Sequence, residues 1–152
     1  MKEPRYRPNV AAILRRGDGR LLLGERSDAA GCWQFPQGGQ KPRETPREAL
    51  ERELQEELGL APESYRVAEQ RGPYEYLFGN GRTKDGFDGQ RQSYFLLDLI
   101  ADGVVFDFGT ESPEFRATRW VYPTEFKLAW VPSFKRGAYR QVFQDFFGVL
   151  PG

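Results

Sequence analysis

Apolar residues first gather in two short runs near the start of the printed chain, at positions 9–14 and 21–25. The segment between them, 16–20, is polar and contains the step Asp18-Gly19. An Asp-Gly step between two apolar runs is a strong signal for a tight turn between strands. The pattern therefore predicts a β-hairpin.

The spacing of apolar residues becomes helical from Thr45 onward. Thr45 can cap the helix, Pro46 suits its first position, and Glu48 lies three residues after the cap, which is a capping box. Gly59 tolerates the left-handed conformation that commonly ends a helix. These signals predict a helix from Thr45 to about position 58.

Further strands are predicted where short runs of apolar and aromatic residues stand between Gly, Asp and Pro clusters. These runs lie at 33–35, 65–70, 74–77, 93–100 and 118–122. Pro36 and the pair Gly38-Gly39 predict that a loop opens after the first run. The segment 78–89 contains four Gly among polar residues and predicts a second loop.

A last helix is predicted over 133–147, with Ser133 as its cap. Its apolar residues recur at helical spacing, which is typical of a face packed in the core. These residues are Ala138, Val142, Phe143, Phe146 and Phe147.

The length of 152 residues suits one domain, 1–152, which would bury about two thirds of its unfolded surface. Lys and Arg total 22 and Asp and Glu total 22, so no overall charge attracts nucleic acid or membranes. No apolar run approaches the roughly 18 residues of a membrane helix. Cys32 is the single cysteine, which excludes an internal disulfide and suits the cytoplasm.

The chain contains no His. Imidazole-based zinc sites, Ser-His-Asp triads, Cys-His dyads and His general bases are therefore excluded. Any proton transfer in catalysis would fall to carboxylates or Lys, together with a hard metal that prefers oxygen ligands.

Glu56 and Glu57 lie three and four positions after Glu53, so on a helix the three side chains share one arc about 100° wide. Like charges at these spacings destabilise a helix by a few tenths of a kcal/mol per pair, roughly. Divalent cations would remove that repulsion, and all-oxygen ligation is what Mg²⁺ prefers. The alternative is a solvated acidic helix face with ordinary surface ion pairs.

The run from Gly38 to position 60 reads GGQKPRETPREALERELQEELGL. With Glu44 and the segment 52–60 in fixed relation to Gly38, it resembles the Nudix box at every defined position. The resemblance implies an α/β fold, an α/β/α sandwich with a mixed β-sheet, in which the box 38–60 forms a loop-helix-loop that binds divalent metal.

The Nudix resemblance also implies roles for particular residues. One Glu of the box, or a further Glu, would activate water, and Arg52 would orient a carboxylate. Mg²⁺ or Mn²⁺ would be the cofactor. The residues assigned to catalysis or metal binding are Gly38, Arg52, Glu53, Glu56, Glu57 and the later Glu114.

Segments outside the box resemble the bacterial RNA pyrophosphohydrolases and the related asymmetric dinucleoside tetraphosphate hydrolases. The segments lie at 6–10, 33–39, 89–92, 113–115 and 133–136, with Trp120. The resemblance implies removal of pyrophosphate from the 5′-triphosphate end of RNA, leaving a 5′-monophosphate. The alternative is cleavage of diadenosine tetraphosphate into ATP and AMP.

The same resemblance assigns five residues to substrate binding, Arg7, Arg26, Gln34, Phe134 and Lys135. An Arg can bridge phosphates bidentately. A Phe ring offers a face for a base, and a Lys a charge for the adjoining phosphate. The structural alternatives are a Phe134 that only staples the last helix and a Glu114 that is only a surface loop residue.

Two positions depart from the RNA enzymes. Ser27 stands where those enzymes tend to carry a second Arg, and the loop 78–89 is less basic than theirs. Both differences predict weaker contact with RNA beyond its 5′ end.

A Nudix-fold module that binds a nucleotide without hydrolysing it is a further alternative, although such modules usually lose the box carboxylates. The partner expected in every case is a nucleotide, with no membrane. The sequence does not decide the oligomeric state, for which a monomer is slightly favoured.

Overall fold

The computed structural model describes residues 3–101, 106–107 and 114–152. Position 113 of one segment quoted above therefore lies outside the described residues. The strands and helices are β1 Tyr6–Arg15, β2 Leu21–Arg26, β3 Trp33–Gln34, β4 Gln37–Gly39, α1 Pro46–Leu58, β5 Tyr65–Leu77, β6 Gly89–Leu99, β7 Phe115–Val121 and α2 Ser133–Phe147.

The strands form one mixed sheet in the order β3-β2-β1-β6-β5, with β4 paired to β1 and β7 paired to β2. β1 and β6 are parallel, from the pair Tyr6 and Gly89 to the pair Arg15 and Asp98. The other pairs are antiparallel. The sheet thus joins segments that are far apart in sequence.

The two helices cover opposite faces of this sheet. Leu50, Leu54 and Leu58 of α1 pack with Val10 and Leu14 in one buried cluster. The second cluster contains Ala11 and Ile13 of the same strand together with the apolar face of α2. Because alternate residues of a strand point to opposite faces, β1 serves both cores. The predicted α/β/α sandwich with a mixed sheet is confirmed.

The predicted hairpin is confirmed, although its two strands share only a short ladder. β1 and β2 lie where the pattern places them, but they pair through Arg15 and Leu21 alone. β4 takes the place beside β1, from Asn9 to Ala11, and β7 pairs along β2. The Gly38-Gly39 pair, predicted to open a loop, belongs to β4. The turn signal fixes the reversal of the chain, whereas the partners of each strand depend on distant residues.

Helix α1 begins and ends as predicted. Thr45 Oγ1 accepts the backbone N–H of Glu48 at 3.1 Å, and Glu48 Oε1 accepts that of Thr45 at 3.0 Å. Gly59 closes the helix with φ 66°. A cap of this kind contributes about 1 kcal/mol, so the helix that carries the box carboxylates starts at a defined residue.

Helix α2 has the predicted bounds, but the prediction that Ser133 caps it is wrong. Pro132 occupies the N-cap position with extended backbone, and no side chain caps this end. The Pro132 carbonyl accepts the Lys135 N–H at 2.9 Å. The predicted strands 65–70 and 74–77 are one strand, β5, whose register shifts between Arg71 and Tyr74.

The aromatic face of α2 packs in the core as predicted. Val142 and Phe143 are fully buried, and the Phe143 ring stacks on Phe126 at 4.6 Å between centroids. Phe146 and Phe147 pack against the edge of the same cluster. Of the described helices, neither is long and apolar enough to cross a membrane.

Candidate active site

A cavity of about 900 Å³ opens between β4, α1, the segment after β5 and the start of α2. Its volume lies near the top of the range of about 300 to 1,000 Å³ for small-molecule sites. The acidic residues that line it are Asp28, Glu53, Glu57 and Glu114. The basic residues that line it are Arg7, Arg26, Arg82, Lys84 and Lys135. This mixture suits a polyanion accompanied by cations.

Three of the predicted carboxylates meet in this cavity. The carboxyl group of Glu57 lies close to those of Glu114 and Glu53. Burial, then the contacts with Glu114 and Glu53, raise the pKa of Glu57 far above the usual range of a carboxyl group. Its Oε2 is shielded from solvent and has no hydrogen-bond partner. The cluster therefore calls for a proton or a cation.

These residues fit a divalent cation by their chemistry. Among the described residues, no three acidic, cysteine or histidine side chains already stand in the geometry of a formed metal site. However, the Glu53, Glu57 and Glu114 side chains offer only oxygen ligands, which Mg²⁺ and similar hard ions prefer. A buried oxygen without a partner is costly, and a cation would satisfy it.

Two glycines of β4 let functional side chains approach the backbone closely. A Cβ atom at Gly38 would overlap the carboxylate of Glu53, and one at Gly39 would overlap the guanidinium of Arg7. The Gly-Gly pair therefore lets a carboxylate and a guanidinium group each approach the backbone of β4 closely. This is a role for Gly38 that does not require it to be a ligand.

Arg52 joins the loop before α1 to the carboxylate cluster. Its guanidinium donates to Glu44 at 2.7 and 2.9 Å, to the Gly39 carbonyl at 2.8 Å and to Glu53 at 2.8 Å. The bonds from Arg52 are the main reason that the pKa of Glu44 falls to about 2. Arg52 is thus placed to orient Glu53, as the resemblance implies.

Glu56 is placed differently from the other box carboxylates. It does not line the cavity, its side chain is 57% exposed, and its contact with Arg52 is long at 3.4 Å. The structure brings together Glu53, Glu57 and Glu114 and leaves Glu56 at the rim.

Of the five predicted substrate-binding residues, four line the cavity, namely Arg7, Arg26, Phe134 and Lys135, and Gln34 lies buried behind it. Arg26 donates to Asp28 at 2.7 and 2.6 Å. Lys135 is 4% exposed, and burial, followed by the charge of Arg26, lowers its pKa to about 8. Its Nζ donates to Gln34 Oε1 at 3.1 Å, and Gln34 itself is fully buried. Gln34 therefore positions Lys135 from behind.

Phe134 is half-buried and lines the cavity. Its ring lies 5.8 Å from that of Tyr76 and 6.4 Å from that of Phe78, between centroids. The three rings form an aromatic cluster on which a base could stack. The pure staple interpretation would predict a fully buried ring.

Several cavity residues were not assigned by sequence reasoning. They are Asn9, Gln37, Tyr76, Phe78 and Gln90. Gln92, buried behind the cavity, donates to Asn9 at 2.9 Å and also to Gln37. The sequence did contain a signal for Gln90 and Gln92. They stand at alternate positions of one strand, so their side chains point to the same face, and a buried amide there needs hydrogen-bond partners.

Known proteins are similar in sequence to this chain over most of its length. A family model described as NUDIX domain matches residues 5–142. A protein named RNA pyrophosphohydrolase from Hahella chejuensis is 42% identical over 95% of this chain and 92% of its own length. One of the same name from Helicobacter pylori is 40% identical over 96% of each chain.

Solved structures share the fold at lower identity. An E. coli dihydroneopterin triphosphate pyrophosphohydrolase matches with TM-score 0.69 and 22% identity over 95% of this chain and 97% of its own. A C. elegans Ap4A hydrolase in a binary complex matches with TM-score 0.63 and 17% identity, over 94% and 99%. At these identities the likeness concerns the fold.

Proposed function

Because the chain belongs to the Nudix family, we propose that it is a metal-dependent pyrophosphohydrolase that removes pyrophosphate from the 5′-triphosphate end of RNA, leaving a 5′-monophosphate. The observation that carries the proposal is the cavity, in which Glu53, Glu57 and Glu114 lie together with basic side chains and an aromatic cluster. The relatives named RNA pyrophosphohydrolase, at about 40% identity over nearly the whole chain, support the substrate.

The acidic side of the cavity would hold the reacting phosphates and water. A divalent cation, when bound by Glu53, Glu57 and Glu114, neutralises phosphate oxygens and lowers the pKa of the attacking water. Arg52 holds Glu53 in place through its bonds to Glu44 and Glu53. Mg²⁺ is the proposed ion, with Mn²⁺ as a substitute.

The basic and aromatic residues of the cavity would hold the nucleotide. Arg7, seated against Gly39, would bind the polyphosphate, and Lys135 would bind the adjoining phosphate while Gln34 fixes its position. Phe134 would stack on a base. The cytoplasm is the proposed compartment, since the lone Cys32 and an RNA substrate both suit it.

Three substrates at equal concentration test this function with Mg²⁺ present. They are 5′-triphosphate RNA, 5′-diphosphate RNA and diadenosine tetraphosphate, with pyrophosphate, phosphate, ATP and AMP quantified. We expect pyrophosphate from the triphosphate RNA at the highest kcat/KM. A preference for diadenosine tetraphosphate would establish the alternative hydrolase, and binding without turnover of all three would establish a binding module.

Mg²⁺ is expected to raise the melting temperature, because it would bind the carboxylate cluster of the native state only. At about a hundredfold excess over Kd this contributes roughly 2.7 kcal/mol, or about 5 to 10 °C for a protein of this size. Thermal denaturation of metal-free protein, with and without Mg²⁺, measures the shift. EDTA should reverse it, and a Glu57→Gln variant should show a smaller shift. An unchanged melting temperature at millimolar Mg²⁺ would contradict the metal site.

Phe134→Ala is expected to lower kcat/KM on 5′-triphosphate RNA by about five- to a hundredfold, the value of one lost base stack. Phe143→Ala is the matched control, because Phe143 is 0% exposed in the core and should cost about 3 to 5 kcal/mol of stability instead. Urea midpoints and rates per folded molecule separate the two effects. A large stability loss with unchanged kcat/KM in Phe134→Ala would make the ring a staple only.

A further inference from the structure

We infer that Arg82 and Lys84 form a second anion subsite that binds an internucleotide phosphate of RNA downstream of the 5′ end. The inference rests on the proposed function and extends it to what distinguishes an RNA strand from a free nucleotide. The sequence predicted weak contact with RNA beyond its end, because the loop 78–89 carries few cations. The structure places both cationic residues of this loop on the cavity wall.

The segment that carries both cations is held in place by specific contacts. Phe78 N–H donates to the Asp88 carbonyl at 2.8 Å, and Lys84 and Phe87 exchange two backbone bonds of 2.9 Å each. The N–H of Arg5 donates to Asp88 Oδ2 at 2.8 Å, and the Arg5 guanidinium lies 5.4 Å from the Phe87 ring centroid. Arg82 and Lys84 thus project from a braced loop.

Neither cation is neutralised within the described part of the chain. Arg82 Nε donates to the Gly79 carbonyl at 3.2 Å, and no carboxylate of the described residues forms an ion pair with either side chain. By contrast, Arg26 in the same cavity is paired with Asp28. Unneutralised cations on a cavity wall are suited to bind an anionic ligand.

The position of the loop decides which phosphate it would bind. A Cβ atom at Gly79 would lie 3.5 Å from the Phe134 ring, so the loop packs beside the residue proposed to stack a base. The charge of Lys84 also contributes to the lowered pKa of Lys135, so both lysines face the same space. The carboxylates and Arg7, beside Gly39, lie on the box side of the cavity.

A nucleotide whose terminal phosphates lie at the carboxylates and whose base lies on Phe134 would therefore extend its 3′ side toward Arg82 and Lys84. In RNA that side carries a phosphodiester, whereas a free nucleoside triphosphate ends in a hydroxyl group. The two cations would consequently favour RNA over mononucleotides without reading any base.

The test compares Arg82→Gln/Lys84→Gln with the wild-type protein. One probe is a 5′-monophosphate RNA hexanucleotide with a 3′ fluorophore, and its affinity is measured by anisotropy at several salt concentrations. Each neutralised phosphate of a single strand contributes about 0.7 to the slope of log affinity against log salt. Because Arg82 and Lys84 would share one phosphate, we expect the slope to become shallower by about 0.7. With 5′-triphosphate substrates, kcat/KM should fall for the hexanucleotide and stay unchanged for ATP.

The matched control is Arg66→Gln/Arg140→Gln, which removes two exposed charges from residues that do not line the cavity. Its slope should equal that of the wild type. An unchanged slope in Arg82→Gln/Lys84→Gln, or an equal change in the control, would overturn the subsite. So would an equal loss of kcat/KM for ATP and hexanucleotide. If the wild type releases no pyrophosphate from RNA, the proposed function fails, and the anisotropy slopes still decide the subsite.

Discussion

Glu57→Gln is expected to reduce turnover of 5′-triphosphate RNA by at least about a hundredfold, and Glu53→Gln by a similar factor. Gln keeps the shape of Glu but removes the negative charge that would hold a divalent cation or accept the proton of water. Glu57 is in contact with both Glu53 and Glu114, so its charge is central to the cluster. Initial rates at saturating Mg²⁺ measure the loss.

The fold should survive Glu57→Gln, because Gln is neutral in this crowded site without binding a proton or a cation. Urea denaturation of metal-free protein should give a midpoint equal to or above that of the wild type. Glu51→Gln is the matched control, since Glu51 lies on the same helix and pairs with Arg47 at the surface. Near wild-type rates in folded Glu53→Gln and Glu57→Gln would rule out the carboxylate cluster as the catalytic centre.

Gly38→Ala is expected to reduce turnover by about a hundredfold, the cost that displacement of a reacting group by about 1 Å can carry. The new Cβ atom would occupy the space of the Glu53 carboxylate. That carboxylate ends a flexible side chain, so it can move aside at little cost in stability. The substitution should therefore impair activity and the Mg²⁺-induced rise in melting temperature while the metal-free protein keeps its stability.

Gly137→Ala provides the matched control for Gly38→Ala. A Cβ atom at Gly137 meets nothing within 4 Å, and the residue lies inside α2. Ala there should stabilise the helix by about 0.5 to 1 kcal/mol and leave kcat/KM unchanged. Full activity in Gly38→Ala would show that catalysis does not depend on the present position of the Glu53 carboxylate.

Helix α1 could be predicted almost to the residue because its signals are local. Thr45, Pro46 and Glu48 define its start and Gly59 its end, and all lie within a turn of the positions they determine. The pairing of β1 could not be predicted in the same way. Its neighbours β4 and β6 are chosen by burial of both faces, which involves residues up to 98.

The helical spacing also explains how the carboxylates differ in depth. At about 100° per residue, Glu57 lies next to the leucine stripe of α1, Glu53 lies further round, and Glu56 lies furthest away. Accordingly, the Glu53 side chain is 16% exposed and that of Glu56 is 57% exposed. The arc itself was predictable, but which member faces solvent depends on where the cavity opens.

The substrate side of the cavity was predictable only through resemblance. The resemblance assigns Lys135 to substrate binding, but it does not predict that this side chain is buried against Gln34. No local pattern links residues that are 101 positions apart. Likewise, the Ser133 cap failed because Pro132 already supplies the extended backbone that precedes a helix.

The parallel ladder between β1 and β6 has a consequence for the order in which the protein forms during synthesis. β1 carries Arg7 at the start of the chain, but its parallel partner is made only after residue 89, and Phe134 and Lys135 follow later still. Contacts between residues so far apart in sequence form late and reduce the folding rate. The complete cavity is therefore assembled only after Phe134 and Lys135 have emerged from the ribosome.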